Sequence, residues 1–240
     1  MNMQLFYTTS IRDNIAFLDR NDSTHCIRVL RKKKGDLIRF TDGNGLLYSG
    51  EIFEEDPVKC GLKLIEEPMM LEKHNYNLHL AIAPTKNSDR FEWFVEKAVE
   101  IGIDEITPVI CKHSERKNIK SDRIMKIMIS AMKQSLKTHL PVLNELVSLD
   151  DFIRAEHSGA EKYIAYLEEN ERMALINVGR SPGNWIVIIG PEGDFHPEEV
   201  QLAYKKGYKA VSLGNSRLRT ETAGVAACQV VADLSMLDHM

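Results

Sequence analysis

Residues 77–110 read NLHLAIAPTKNSDRFEWFVEKAVEIGIDEITPVI, and their pattern decides the fold class. The apolar run 78–83 reads as a buried strand, after which Phe91, Phe94, Val95 and Ala98 recur at the spacing of one helical face over 89–101. Asp89 and Glu92 supply an acidic entry to that helix, Gly102 stands where it should stop, and 106–110 reads as a second strand. Strand, helix, strand is the unit of a parallel sheet, so an α/β domain is expected. The alternation continues with a helix over about 121–138, strands over 163–167 and 185–189, a helix over 197–206, a strand around 210–213 and a last helix after Glu221.

Upstream the rhythm is different. Short runs at 37–41, 46–53 and 60–65 are separated by Gly35-Asp36, Asp42-Gly43-Asn44-Gly45 and Asp56-Pro57. Asp-Gly and Asn-Gly tolerate the positive φ that tight hairpins need, so a small β-barrel is expected. Glu66-Glu67-Pro68 and the polar residues 72–75 offer little to bury and read as a linker. The expected division is 1–72 for the barrel and 73–240 for the α/β domain.

Of the 240 residues, 43% are hydrophobic and 28% charged, the balance of a globular chain and not of a disordered one. No run approaches the roughly 18 apolar residues of a membrane span, and the start lacks the basic and apolar regions of a leader, so a cytoplasmic protein is expected. Cys26, Cys60, Cys111 and Cys228 are too scattered for a zinc site or a redox pair and read as reduced, buried thiols; no metal site is expected. The formal charge of −4 argues against bulk attraction to a polyanion. Nucleic-acid contact would have to come from local clusters: Arg28, Arg31 and Lys32 to Lys34, and Lys112, Arg116, Lys117 and Lys120. Each cluster is also compatible with a solvated face.

Two segments join an expected strand to an expected helix. In the first, the run 186–189 feeds Gly190-Pro191-Glu192-Gly193, with Pro197 opening the helix. Ligands sit at the carboxyl ends of strands in open α/β sheets, and glycine lets them approach the backbone, although Pro and Gly here also suit an ordinary turn. In the second, Ser212-Leu213-Gly214 leads through Leu218-Arg219-Thr220-Glu221-Thr222 into the last helix. A threonine can cap that helix, and Arg219 can stabilise an anion but cannot act as a base. The dinucleotide and triphosphate glycine signatures, the HExxH zinc motif and the GxSxG elbow are all missing from the sequence, which removes those classes. His113 and His196 read as surface or hydrogen-bonding histidines.

Taken in order, His25-Cys26-Ile27-Arg28-Val29-Leu30-Arg31, Phe40-Thr41-Asp42-Gly43, Asp89-Arg90-Phe91-Glu92-Trp93 with Lys97-Ala98 and Glu100-Ile101-Gly102, Ile189 to Gly193, and Leu218 to Ala223 resemble the RsmE family of 16S ribosomal RNA uridine N3-methyltransferases. The resemblance covers nearly the whole chain. It implies an N-terminal PUA-like β-barrel that docks RNA and a C-terminal SPOUT-type α/β domain with a trefoil knot that binds S-adenosylmethionine. It also implies a homodimer and, as partner, 16S ribosomal RNA in the small ribosomal subunit. Periodicity could not have suggested a knot, since topological rules argue against one.

Carried over by motif, Gly190, Pro191, Glu192 and Gly193 with Leu213, Gly214, Leu218, Arg219, Thr220 and Thr222 are expected to line the cofactor pocket. Arg219 is expected to stabilise the imide anion that forms as uridine N3 loses its proton, and Glu192 or Glu221 to accept that proton. Arg28, Arg31, Lys33, Lys112 and Arg116 are the expected RNA contacts. Asp194 and His196 depart from the family pattern of Gly and Ser or Thr, which weakens the expected cap before Pro197 by ~1 kcal/mol unless Asp194 supplies it. Arg217 stands one residue later than the family's usual Arg, and Lys133 replaces a frequent Glu. A non-catalytic dimeric ribosomal RNA-binding protein is the competing reading.

Overall fold

A computed structural model describes residues 4–166, 173–178 and 183–237. The chain divides into two compact units, one made of 1–73 with 129–140 and the other of 74–128 with 141–240.

In the first unit the strands are β1 (Leu5–Tyr7), β2 (Ile11–Arg12), β3 (Ile15–Phe17), β4 (Leu37–Thr41), β5 (Leu46–Glu54), β6 (Gly61–Leu64) and β7 (Met69–Met70). They pair in the order β1-β4-β5-β6-β3-β2, with β7 on β5. Phe6 on β1 and Ala16 on β3 stand far apart in that order, yet both pack with Phe40, Ile52 and Leu62 in one buried cluster, so the sheet curls around its core. The expected β4–β5 hairpin forms, and the Asp42 carboxylate accepts the Asn44 amide inside its turn at 2.8 Å. Between β3 and β4 the structure adds helix α1 (Arg20–Thr24), capped by Asp19, and a π-turn over His25–Val29. No helix is legible there in the sequence, because five residues are too few to display a period.

The second unit carries β8 (Asn77–Ile82), α2 (Ser88–Ile101), β9 (Glu105–Ile110), α3 (Ser121–Gln134), β10 (Val142–Leu143), β11 (Val147–Ser148), α4 (Leu149–Arg154), β12 (Ala160–Ala165), β13 (Asn184–Ile189), α5 (Pro197–Lys205), β14 (Lys209–Val211) and α6 (Thr220–Leu237). The last residues of α3 group with the first unit. All strand pairs are parallel, in the order β10-β9-β8-β13-β12-β14 with β11 on β9. Sitting between β9 and β13, β8 is buried from Leu78 to Ile82, as a strand covered on both faces must be. Ala81, Ile186 and Ile188 face the cluster built with Phe152 and Val200 of α4 and α5. On the other face α6 brings Gly224 against Ile82 and against Phe94 of α2.

Local signals account for most boundaries. Asn87 caps α2 by accepting the Asp89 amide at 2.9 Å, and Gly102 ends it at φ 132°. α3 stops at Gln134, short of the expected 138, because Leu136 adopts a φ of 57° that no helix continues through. β12 ends at Ala165, and Leu167, the expected end of that strand, lies outside the described residues. The four cysteines are buried and unbridged. Among the described residues no helix is long and apolar enough to cross a membrane, and no cluster of side chains suits a metal ion.

Candidate active site

The carboxyl ends of β12, β13 and β14, marked by Ala165, Ile189 and Val211, open into one cavity of about 670 Å³ within the second unit. Both glycine-bearing loops border it. Gly190, Pro191 and Glu192 come from the loop after β13, and Leu213, Gly214, Leu218, Arg219 and Thr220 from the loop after β14. Two expected members do not reach it. Gly193 turns toward His113, whose Cβ would lie 3.2 Å from an added methyl, and Thr222 is exposed on α6.

A hydrogen bond fastens the loops together: Thr220 Oγ1 donates to the Gly190 carbonyl at 2.9 Å. Gly190 has to be glycine, because a Cβ there would sit 2.9 Å from the ring of buried Phe195, which closes one wall. Pro191 accepts the Asp194 amide at 3.0 Å, so the segment is a tight turn as well as a cavity wall. Asp194 takes φ 65°, which explains why glycine suits this position, and its carboxylate accepts the following amide of Phe195 at 2.8 Å.

The cap before Pro197 corrects an expectation. His196 caps α5 itself, Nδ1 accepting the Glu198 amide at 3.3 Å while Glu199 accepts the His196 amide at 2.8 Å. Imidazole offers one acceptor nitrogen where Ser or Thr would offer a hydroxyl, so the departure costs no cap.

The two carboxylates differ sharply. Glu192 borders the cavity and accepts the Lys86 amide through Oε1 at 3.0 Å. Glu221 is buried and does not border the cavity; its Oε1 lies 3.9 Å from Arg90 Nε. Arg90 and Arg217 join Arg219 around the cavity. Sequence alone assigns neither a role, although Arg90 belongs to the Asp89-Arg90-Phe91-Glu92 motif, the signal that points to it.

The five expected RNA-contacting cations fall into two groups. Arg28 and Arg31 are exposed and form no ion pair among the described residues. Lys33 pairs with Glu55 at 3.2 Å, and Lys112 with Glu198, whose carboxyl it holds below the usual range by hydrogen bonding. Arg116 is committed to the backbone, donating to the carbonyls of Thr85 at 3.0 Å and Lys86 at 2.9 Å. It thereby fixes the segment whose amide holds Glu192.

The arrangement offers apolar walls from Ile189, Phe195 and Leu218, main-chain donors and acceptors along two loops, and three guanidinium groups. This suits a ligand with a flat heterocycle and a nearby anion.

Residues 72–232 match the family model of an RNA methyltransferase domain, and residues 18–64 that of an RNA methyltransferase PUA domain. The chain is 34% identical over 158 residues to ribosomal RNA small subunit methyltransferase E of Mesomycoplasma hyopneumoniae, covering 64% of this chain and 67% of the relative. The enzyme of the same name from Aquifex aeolicus is 27% identical over 239 residues, 95% of this chain and 99% of its own. Among solved structures, one described as a "probable rRNA-methyltransferase" from Porphyromonas gingivalis superposes with TM-score 0.92 at 39% identity, covering 98% of this chain and 100% of that one. The Neisseria gonorrhoeae ribosomal RNA small subunit methyltransferase E, bound to S-adenosyl methionine, gives 0.87 at 26% identity over 97% and 98%. A PUA-like unit, a parallel α/β unit with a cavity between paired loops, and these relatives agree: the chain belongs to the ribosomal RNA small subunit methyltransferase E (RsmE) family of RNA methyltransferases.

Proposed function

We propose that this protein methylates N3 of a specific uridine in 16S ribosomal RNA of the small subunit, using S-adenosylmethionine. The observation that carries the reading is the single cavity enclosed by both loops and closed by the Thr220–Gly190 hydrogen bond. Its volume and walls fit the donor, which a relative of the same fold binds. When bound, the donor supplies a methyl group already activated on a sulfonium. The main chain of Gly190, Pro191, Leu213 and Gly214, with the side chains of Leu218 and Thr220, would hold it. Thr222 and Gly193 act indirectly, Thr222 within the first turn of α6 and Gly193 as a slender link beside His113.

Uridine N3 is an imide nitrogen and becomes nucleophilic only as its proton leaves. Arg219 donates to the carbonyl oxygens on which the resulting charge spreads, the fixed stabilisation that counts most where water is excluded. Of the two candidate bases, Glu192 is the one at the cavity, and with one oxygen pinned by the Lys86 amide it presents the other for the proton. Arg28 and Arg31, with support from Lys33, Lys112 and Arg116, hold RNA phosphates while the base is splayed into the site. On this reading the first unit docks RNA and the second carries the chemistry. A trefoil knot, a homodimer and a cytoplasmic site of action belong to the same proposal and rest on the family resemblance.

The test is a methyl-transfer assay on small subunits from cells lacking this protein, followed by mass mapping of the product. N3-methyluridine at one position is expected; a methyl group on another atom refutes the assignment. Arg219→Ala should lower turnover on the order of 100-fold, beyond any loss of donor affinity. The binding-only alternative predicts no ligand-dependent stability, whereas donor at about 100 times its Kd should add ~2.7 kcal/mol to apparent stability.

A further inference from the structure

Three guanidinium groups border the cavity, and one of them has a buried counter-charge. Arg90 Nε lies 3.9 Å from Oε1 of Glu221, whose side chain is 8% exposed. The second oxygen, Oε2, is sealed from solvent and has no hydrogen-bond partner among the described residues. A carboxylate taken out of water in this way requires a cation beside it. Arg90 supplies one, and being 41% exposed it also reaches the cavity that Glu221 does not border.

The geometry is fixed by helix packing. Arg90 and Glu221 occupy the first turns of α2 and α6, which touch where Gly224 lies so near the Phe94 ring that an added Cβ would stand 2.6 Å from it. With Nε turned to Glu221, the two terminal amino groups of Arg90 are the ones left for a ligand. The sulfonium of the donor is cationic and gains nothing from a fixed guanidinium, so the donor offers Arg90 a single anionic group, its carboxylate, whereas the acceptor RNA brings a phosphate with every nucleotide. We infer that Arg90, held by the buried Glu221 carboxylate, binds a phosphate beside the target nucleotide, and that Glu221 is a positioning residue and not the base. This rests on the methyltransferase reading but concerns how the acceptor is held.

The experiment compares wild type, R90K, E221Q, R90Q and the doubly neutral R90Q/E221Q. Calorimetry with S-adenosylmethionine, filter binding of small-subunit RNA and steady-state methylation are measured on each. The double variant removes both charges together, so it stays folded where R90Q alone strands a buried carboxylate. Expected are donor affinity within twofold of wild type throughout, RNA affinity reduced about tenfold in R90Q and the double variant, and partial recovery in R90K. E221Q should raise KM for RNA with little change in kcat, and adding it to R90Q should cost nothing further. A tenfold loss of donor affinity in the double variant would put Arg90 on the donor's carboxylate and overturn the inference. So would an E221Q defect confined to kcat with loss of the acidic limb of the pH profile, the mark of a base. Methylation by wild type at another atom would refute N3 specificity and leave the RNA-binding result standing.

Discussion

Thr220 Oγ1 and the carbonyl of Gly190, 30 residues apart in the chain, are joined by a 2.9 Å hydrogen bond that turns two separate loops into one wall of a cavity. Thr220 also begins α6, so the bond ties the start of that helix to the end of β13. Thr220→Val keeps the shape and removes the donor, leaving a partly buried carbonyl unpaired, at a cost of about 1–2 kcal/mol. Donor affinity measured by calorimetry should fall roughly tenfold with little change in the far-ultraviolet circular dichroism.

Gly190→Ala tests the same wall by steric means. Its Cβ would meet the Phe195 ring at 2.9 Å, and a packed site yields to such an intrusion at about 1–3 kcal/mol. The melting temperature should drop and donor binding should weaken with it; in Gly214→Ala the added carbon has open space, so that variant loses stability only through the strain of a φ of 137°.

His196 acts as a cap and does not border the cavity. His196→Ala should cost about 1 kcal/mol and lower Tm by roughly 2–4 °C. His196→Ser should restore the loss, since a hydroxyl accepts the same amide. Methylation rates at 25 °C should be nearly equal in all three proteins.

His79 gives the fold a dependence on pH. Its Nε2 lies 2.7 Å from Thr107 Oγ1 and its ring packs on Phe152, with Glu105 and His157 nearby. Burial pushes its pKa down to about 4, outweighing the upward pull of Glu105, with His157 lowering it further. The unfolded chain therefore takes up this proton near pH 6.5 and the folded one only near 4. The contribution is complete above pH 6.5 and is lost as pH falls toward 4, on the order of 3 kcal/mol. Urea denaturation from pH 7 to pH 4.5 should show this loss, and His79→Gln should flatten it.

Among the described residues Arg28 and Arg31 lack the ion pairs that occupy Lys33 and Lys112. Reversing both to Glu should weaken RNA binding at low salt and reduce the slope of log affinity against log salt by about one unit per residue. Donor affinity should not move. Reversing Lys112 should have a smaller effect on RNA, because that ammonium already serves Glu198.

Much of this was legible in the chain itself. The period of 3.6 over 89–101, the buried run 78–83 and the glycine punctuation announce the parallel α/β unit, because burying one face of each element imposes those spacings locally. The loops that border the cavity are likewise announced by glycine and proline after strands. What the sequence could not disclose is which groups meet. Glu192 and Glu221 read as equivalent candidates, yet the fold sets one at the cavity and buries the other beside Arg90. Lys112 and Arg116 read as a basic cluster, yet Glu198 pairs with the first and the carbonyls of Thr85 and Lys86 hold the second in place. His196 reads as a lost cap in the sequence, and in the fold it is the cap. Spacing along the chain reports which face a residue shares with its near neighbours; the state of a charge depends on partners many residues away and on the water the fold removes from around it, and only the tertiary structure decides both.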